Sequence, residues 1–176
     1  MNKNKLIATT VGIAAVTIAT VWLGENHSVA QDAKPIESAK PAPGWELSDL
    51  DGKTVRSSDF KDKVVILDFW ATWCPPCRAE IPGFVELQKK YQAKGLAIVG
   101  VSVDQVSADT VKAFVQKSGI NYPVVLADTN IVADFGGIEG LPTTFIIDAN
   151  GRIVKRHLGF TEKSDFESDI KPLLKP

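Results

Sequence analysis

The sequence predicts an α/β domain built on a mixed central sheet, and three observations support this fold class. Two segments, "VVILDFW" and "LAIVGVSVD", are apolar on both faces, as strands are when helices cover both sides of a parallel sheet. A segment with helical spacing of apolar residues separates them. Near the C-terminus, the turn dipeptide Asn150-Gly151 joins two more strand-like segments into a hairpin, which adds antiparallel strands.

The individual elements follow from the same patterns in chain order. A hairpin around the turn dipeptide Asp51-Gly52 leads into the domain. The long helix after the first buried strand carries Phe84, Leu87 and Tyr91 on one face. The elements after the first hairpin are predicted at 64–70 (strand), 75–93 (helix), 96–104 (strand), a helix capped by Ser107, 123–128 (strand), 131–135 (helix), 143–148 and 152–158 (hairpin strands), and a last helix from Thr161.

The overall composition limits the possible functions. The chain has 176 residues, and 44% of them are hydrophobic, which is enough for one domain with a substantial core. It has 20 basic and 21 acidic residues and a formal net charge of -1, so it lacks the excess of basic residues that binding to a phosphate backbone requires. We therefore predict no nucleic-acid partner.

Residues 1–30 have the features of an export signal. Lys3 and Lys5 precede an uncharged run, 6–23, which as a helix would be about 27 Å long and would nearly span a bilayer. This run fits a transmembrane signal anchor, whereas Ser28-Val29-Ala30 fits the small-residue pattern before the cut of a cleaved signal peptide. Both alternatives place the following domain outside the cytoplasm.

A tether is predicted between this segment and the domain. Residues 31–43, "QDAKPIESAKPAP", contain three prolines and few large apolar residues, which is typical of an extended linker. The folded domain is therefore predicted to comprise residues 44–176.

The only two cysteines, Cys74 and Cys77, stand two residues apart, and four interpretations compete. A structural zinc site needs four ligands, and the chain has no third cysteine. A purely structural disulfide gains little from so small a ring. A Cu(I) site that delivers copper is chemically reasonable because thiolates are soft ligands, although the only methionine is Met1. The fourth interpretation, a redox pair, is the one we predict, without a bound cofactor or metal.

The redox interpretation explains the position of each sulfur. A strand that leads directly into a helix puts Cys74 at the helix N-terminus, where the dipole and free N–H groups stabilise a thiolate. Cys77, three residues later, can close a disulfide with Cys74 and release a bound partner. Pro75 and Pro76 have no N–H to donate, so the thiolate is predicted to be only moderately stabilised.

Two carboxylates are candidates for proton transfer. Asp68 interrupts an apolar strand six residues before Cys74, and burial without a cation is expected to raise its pKa, which suits a proton relay for Cys77. Glu80 lies three residues after Cys77 on the same helical face. Two alternatives stay open: Asp68 as an exposed residue at a strand end, and Glu80 as a residue favoured only by the helix dipole.

The segments "LDFWATWCPPCRAE" and "GLPTTFIIDANGRIV" resemble the thioredoxin superfamily and, more narrowly, the TlpA/ResA-like thiol-disulfide oxidoreductases of the bacterial cell envelope. The resemblance implies a thioredoxin fold with an extra N-terminal β-hairpin and a cis-proline beside the dithiol, which Pro142 matches. It also implies that Leu141 offers its backbone to an extended substrate, with Trp73, Pro75 and Pro76 as an apolar rim. The alternative is that Leu141 and Trp73 are core residues.

The resemblance further implies a function. It suggests a protein-disulfide reductase of the periplasm or the outer face of the bacterial cytoplasmic membrane, with Cys74 as the nucleophile and Cys77 as the resolving residue. Glu80 matches an acidic position of the members that mature cytochrome c, so apocytochrome c is the first substrate candidate and general disulfide repair the second. At Asp68 the chain resembles thioredoxin itself, whereas TlpA/ResA relatives more often have asparagine.

Because the compartment is oxidising, the resemblance also implies a membrane electron donor that restores the dithiol. Three alternative functions compete with this prediction. They are a disulfide oxidant of the same fold, a copper-delivery protein, and a peroxidase, which would need a proline-threonine pair where the chain has Ala71-Thr72.

Overall fold

A computed structural model describes residues 39–175 of the chain. The predicted signal segment and most of the predicted tether lie outside the described residues. Among the residues described, no helix is long and apolar enough to cross a membrane.

Six strands form one mixed sheet in the order β1-β8-β7-β4-β5-β6, and β2 and β3 form a separate two-stranded sheet. This arrangement confirms the predicted α/β class with a mixed sheet. The strands are β1 Lys40–Pro41, β2 Glu46–Ser48, β3 Thr54–Arg56, β4 Val64–Trp70, β5 Leu96–Ser102, β6 Val124–Leu126, β7 Thr143–Ile147 and β8 Arg152–Leu158. The helices are α1 Pro75–Tyr91, α2 Ala108–Lys117, α3 Thr129–Asp134 and α4 Lys163–Ile170.

The centre of the sheet is formed by β4, which pairs parallel with β5 and antiparallel with β7. Every residue of β4 and β5 is buried, because the apolar side chains of both strands face core layers on the two sides of the sheet. One layer contains Phe84 of α1 and Phe166 of α4. The other contains Phe69, Phe135 and Phe145.

The described residues contain two antiparallel strand pairs joined by tight turns. Strands β2 and β3 pair antiparallel around Gly52, and β7 and β8 pair antiparallel around Gly151. Both glycines have positive φ, 77° and 75°, a conformation that residues with a Cβ rarely adopt.

Several predicted boundaries were wrong. Lys40 and Pro41, assigned to the tether, form an edge strand beside β8. An edge strand tolerates proline because its outer side faces no other strand and needs no N–H donor there. Helix α1 ends at Tyr91 rather than Ala93, and a short 3-10 turn follows it. Helix α4 begins at Lys163 rather than Thr161, because Glu162 is still extended and occupies the N-cap position.

Candidate active site

The two cysteines lie where β4 passes into α1. Cys74 is the N-cap of the helix, and its backbone N–H donates to the carbonyl of Ala71 at 3.2 Å, which closes the turn after the strand. Cys74 and Cys77 form a disulfide with an S–S distance of 2.03 Å. Both cysteines are buried in this oxidised state.

The hydrogen bonds around Cys74 follow directly from the prolines. Pro75 and Pro76 occupy the first two helical positions, so the first available helical N–H belongs to Cys77. That N–H donates to the Cys74 sulfur over 3.3 Å. Among the described residues it is the sulfur's only hydrogen-bond donor.

The residues predicted to contact a substrate surround this turn. The Leu141–Pro142 peptide bond is cis, as the resemblance implied. It lies next to the end of β4, because the following residue, Thr143, pairs with Phe69. Leu141 is half-buried and packs against both core layers, so its side chain acts partly as a core residue.

The predicted apolar rim is largely accessible. Trp73 is 66% exposed, which excludes the alternative that it is a core residue. Pro75 is exposed and Pro76 is half-buried. The part of the chain next to Cys74 thus presents apolar surface to solvent, although substrate contact by these residues stays a prediction.

Asp68 lies in the middle of the sheet and is 3% exposed, so it is not an exposed residue at a strand end. Its only polar side-chain partner in the described region is Thr144, directly opposite on β7, whose hydroxyl donates to Asp68 Oδ1 over 3.1 Å. Burial raises the pKa of Asp68 to about 7, and the hydrogen bond from Thr144 opposes this only in part. The raised pKa agrees with the prediction from the sequence.

Glu80 is also buried, with 4% of its surface exposed. Its Oε1 accepts a 2.7 Å hydrogen bond from the backbone N–H of Thr161, and its Oε2 has no partner among the described residues. Burial, and then the negative charge of Asp68, raise the pKa of Glu80 to about 9. A residue favoured only by the helix dipole would lie in solvent, so that alternative does not account for this position.

Tyr122 is a member of the same buried group that the sequence analysis missed. Its ring packs edge-on against Phe84, and burial followed by the charges of Asp68 and Glu80 holds its pKa well above the ordinary value. The negative charge of Asp68 raises the pKa of Glu80, so ionisation of Asp68 disfavours ionisation of Glu80. The sequence analysis assigned no role in the site to Tyr122, Thr144 or Thr161, because each comes close to the carboxyl groups only through contacts between residues far apart in the chain.

The site therefore combines a dithiol-disulfide pair, a cis-proline and two buried carboxyl groups with pKa values raised to about 7 and about 9. Within residues 39–175, no three His, Cys, Asp or Glu side chains form a group that could hold a metal ion. Thiol-disulfide exchange needs only the two sulfurs and a proton carrier. Fold and site together define a thioredoxin-like thiol-disulfide oxidoreductase.

Comparison with known proteins gives the family. Residues 39–156 match the AhpC/TSA family, and the chain belongs to it. It is 35% identical over 175 residues to the thiol-disulfide oxidoreductase ResA of Bacillus subtilis (strain 168), covering 98% of this chain and 97% of that protein. ResA of Bacillus thuringiensis (strain Al Hakam) is 32% identical over 173 residues, covering 98% and 99%.

Solved structures agree with this relationship. A thiol:disulfide interchange protein of the thioredoxin family from Chlorobium tepidum TLS has a TM-score of 0.71 and 39% identity, covering 81% of this chain and 98% of its own. A secreted thiol-disulfide isomerase from Corynebacterium glutamicum has a TM-score of 0.74 and 28% identity, covering 84% and 95%. The predicted thioredoxin-like fold and enzyme class are confirmed: the chain is a thiol-disulfide oxidoreductase of the ResA type.

Proposed function

We propose that the protein is a disulfide reductase that acts outside the cytoplasm. The supporting observation is the poor supply of hydrogen bonds to Cys74, whose sulfur accepts one bond, from the Cys77 N–H. Donors around the sulfur stabilise the thiolate, and a stabilised thiolate makes the oxidised form a strong oxidant. With prolines at the first two helical positions, the reduced form gains little of this stabilisation and gives up its electrons readily.

The reaction is a two-electron exchange between two disulfides. The Cys74 thiolate attacks a sulfur of the partner's disulfide, forming a mixed disulfide and releasing the other partner sulfur, which takes up a proton. Cys77 then loses its proton and attacks Cys74, which releases the second partner sulfur as a thiol. The partner is reduced by two electrons, and the Cys74–Cys77 dithiol is oxidised to the disulfide.

Asp68 and Glu80 carry the protons in this proposal. Asp68, with a pKa of about 7, is partly ionised at neutral pH and accepts the proton of Cys77. Glu80, with a pKa of about 9, is protonated at neutral pH and supplies a proton to the released sulfur. The charge of Asp68 raises the pKa of Glu80, so Glu80 gives up its proton more readily once Asp68 has taken up the proton of Cys77.

The proposed partner is a disulfide-containing protein of the cell envelope, with apocytochrome c as the first candidate and general disulfide repair as the second. The match of Glu80 to an acidic position in cytochrome-c-maturing relatives supports this choice. A membrane electron donor would restore the dithiol, since the compartment itself is oxidising. Residues 1–30 are proposed to deliver the domain there, as an anchor or as a cleaved signal.

The reduction potential tests the direction of the reaction. We expect a value near the reductase figure of about -270 mV, and a value near about -120 mV would identify an oxidant instead. The Pro76→Ala variant restores an N–H at the second helical position, which points at an N-cap side chain, so its potential should rise. Pro75→Ala is the matched control, because an N–H at the first position does not reach the N-cap side chain.

Trapping of the mixed disulfide tests which protein is the substrate. In Cys77→Ala the mixed disulfide cannot be resolved, so the envelope substrate should stay bound to Cys74 and can be identified after non-reducing electrophoresis. A cytochrome c precursor on Cys74 would support the first candidate, and a range of unrelated proteins would support the second. Stoichiometric Cu(I) binding without reductase activity would contradict both and favour copper delivery.

A further inference from the structure

A groove of about 810 Å³ opens between the beginning of α1 and helix α2, directly beside the redox disulfide. Trp73 and Pro75, the neighbours of Cys74 in the chain, form one end of it. Phe114 and Lys117 of α2 form the opposite wall. A polypeptide whose disulfide is attacked by Cys74 therefore has an adjoining channel into which its flanking residues can extend.

The ionisable side chains that line this groove are both positively charged. Arg78 and Lys117 are its only ionisable lining residues, and both are exposed. Within the part of the chain that is described, neither takes part in an ion pair, whereas Lys90, Lys112 and Lys163 each contact a carboxylate. The groove thus offers two cations whose charges no side chain of the described domain neutralises.

Arg78 is held in a defined position. Its guanidinium group lies over the ring of Phe114, 5.9 Å from the centroid, and that ring packs against Trp70 in the core at 5.6 Å. Arg78 is also near the start of α1, where the helix dipole disfavours a cation and where the first turn has no acidic residue. The charge of Arg78 is therefore not compensated within the first turn of α1 and is available to a ligand of negative charge.

We propose that this groove binds an acidic segment of the disulfide-bearing partner, with one or two Asp or Glu side chains near the reactive cysteine. The inference rests on the proposed reductase function. Arg78 and Lys117 would pair with the carboxylates, while Trp73 covers the apolar part of the segment. The proximity to Cys74 favours a polypeptide substrate over a free anion, because only a tethered segment reaches the groove and the sulfur together.

Two matched peptides test the proposal. Both contain the same intramolecular disulfide, but one has two Glu residues next to a cysteine and the other has Gln at those places. We expect the wild-type reduced protein to reduce the acidic peptide with a kcat/KM about threefold to tenfold higher, since exposed charge pairs are individually weak. The preference should shrink in 0.5 M salt, because salt screens exposed charges.

Variants test which cations cause the preference for the acidic peptide. Arg78→Gln and Lys117→Gln should each reduce the preference for the acidic peptide, and the double variant should abolish it. Lys89→Gln, which removes the same charge from the exposed end of α1 away from the groove, should keep it. Lys89→Gln should reduce the uncharged hydroxyethyl disulfide at the wild-type rate, and for the groove variants the ratio of the rates with the two peptides is compared, because a uniform change in dithiol reactivity cancels in that ratio.

The outcomes separate this proposal from the proposed function. Equal rates for both peptides, or an equal loss of preference in Lys89→Gln, overturn the docking site while the reductase function stands. Failure of the reduced wild-type protein to reduce either peptide or hydroxyethyl disulfide overturns the reductase function itself.

Discussion

Two groups of acidic side chains lie against opposite ends of α1, and they differ in how their charge is compensated. At the N-terminal end, Asp68 and Glu80 are buried without a cation among the residues described, and their pKa values rise to about 7 and about 9. At the C-terminal end, Glu167 of α4 is paired with Lys90 over 2.7 Å and also accepts a hydrogen bond from the hydroxyl of Tyr91. These bonds lower its pKa to about 2.

The difference separates a structural carboxylate from one suited to chemistry. A glutamate with a pKa of about 2 stays charged at every physiological pH and can only hold elements together. A carboxyl group with a pKa near neutrality can gain and lose a proton during each reaction cycle. The same helix therefore carries a pair that holds α4 at one end and, in the proposed mechanism, a proton carrier near the other.

The largest expected effect is on stability at alkaline pH. The folded-state pKa of Asp68 lies above its unfolded value of 3.8, so its contribution to stability is fully present below pH 4 and is lost as the pH rises through 7. Asp68→Asn removes this loss and should raise the free energy of unfolding at pH 9 by about 2 to 4 kcal/mol.

Denaturant titrations at pH 5 and pH 9 measure this change, and the gain should be larger at pH 9. Glu80→Gln should also raise the free energy of unfolding at alkaline pH, because the stability contributed by Glu80 is lost as the pH rises through about 9. If either variant is less stable than the wild type at pH 9, the carboxylate that it replaces is not an uncompensated buried charge.

The second effect is on the rate of disulfide exchange. Asp68→Asn and Glu80→Gln should each slow exchange at pH 7 by about tenfold to a hundredfold, because in the proposed mechanism each residue carries a proton. Insulin reduction under single-turnover conditions is a suitable assay. Glu167→Gln is the matched control and should leave the rate unchanged, since its carboxylate holds α4 against α1. An unchanged rate in either site variant would remove that residue from the mechanism.

A smaller effect on stability is expected at acidic pH from Glu167, whose charge Lys90 compensates. The pKa of Glu167 is lowered in the folded state, so its stabilising contribution is present above about pH 4.5 and is lost as the pH falls towards 2. Because Lys90 is largely exposed and its charge is screened, Glu167→Gln should cost about 1 kcal/mol at pH 7. Thermal unfolding should show this difference at pH 7 and lose it near pH 2, and a difference that grows towards low pH would have the wrong sign.

The smallest effect concerns the one hydrogen bond that Asp68 receives. Thr144→Val keeps the shape of the side chain but removes the hydroxyl, whose hydrogen bond lowers the pKa of Asp68. The pH midpoint of exchange should therefore move upward, with a change in stability of about 1 kcal/mol or less. Thr143→Val, one residue away and bonded to the carbonyl of Gly140 instead, is the matched control and should leave the midpoint in place.

Local patterns were sufficient for the elements and for the dithiol. Cys74 and Cys77 interact across three residues, and the strand and helix around them are recognised from short apolar repeats, so their arrangement depends little on the rest of the chain. The burial of Asp68 was also predictable, because the segment around it is apolar and offers no cation. Edge strands were less predictable. The composition around Lys40 and Pro41 is that of a linker, and these residues form a strand only because they pair with β8.

By itself, the sequence determined which atoms react: two sulfurs at a helix start, with prolines that withhold donors from the first. Only the tertiary structure decided the burial of Glu80 and the hydrogen-bond partners of both acids, because it brings Thr161 to Glu80 across 81 positions and Thr144 to Asp68 across 76. A pKa depends on solvent exclusion and on nearby charges in space, and neither quantity is encoded by spacing along the chain. The groove with Arg78 and Lys117 likewise exists only where α2 packs beside α1.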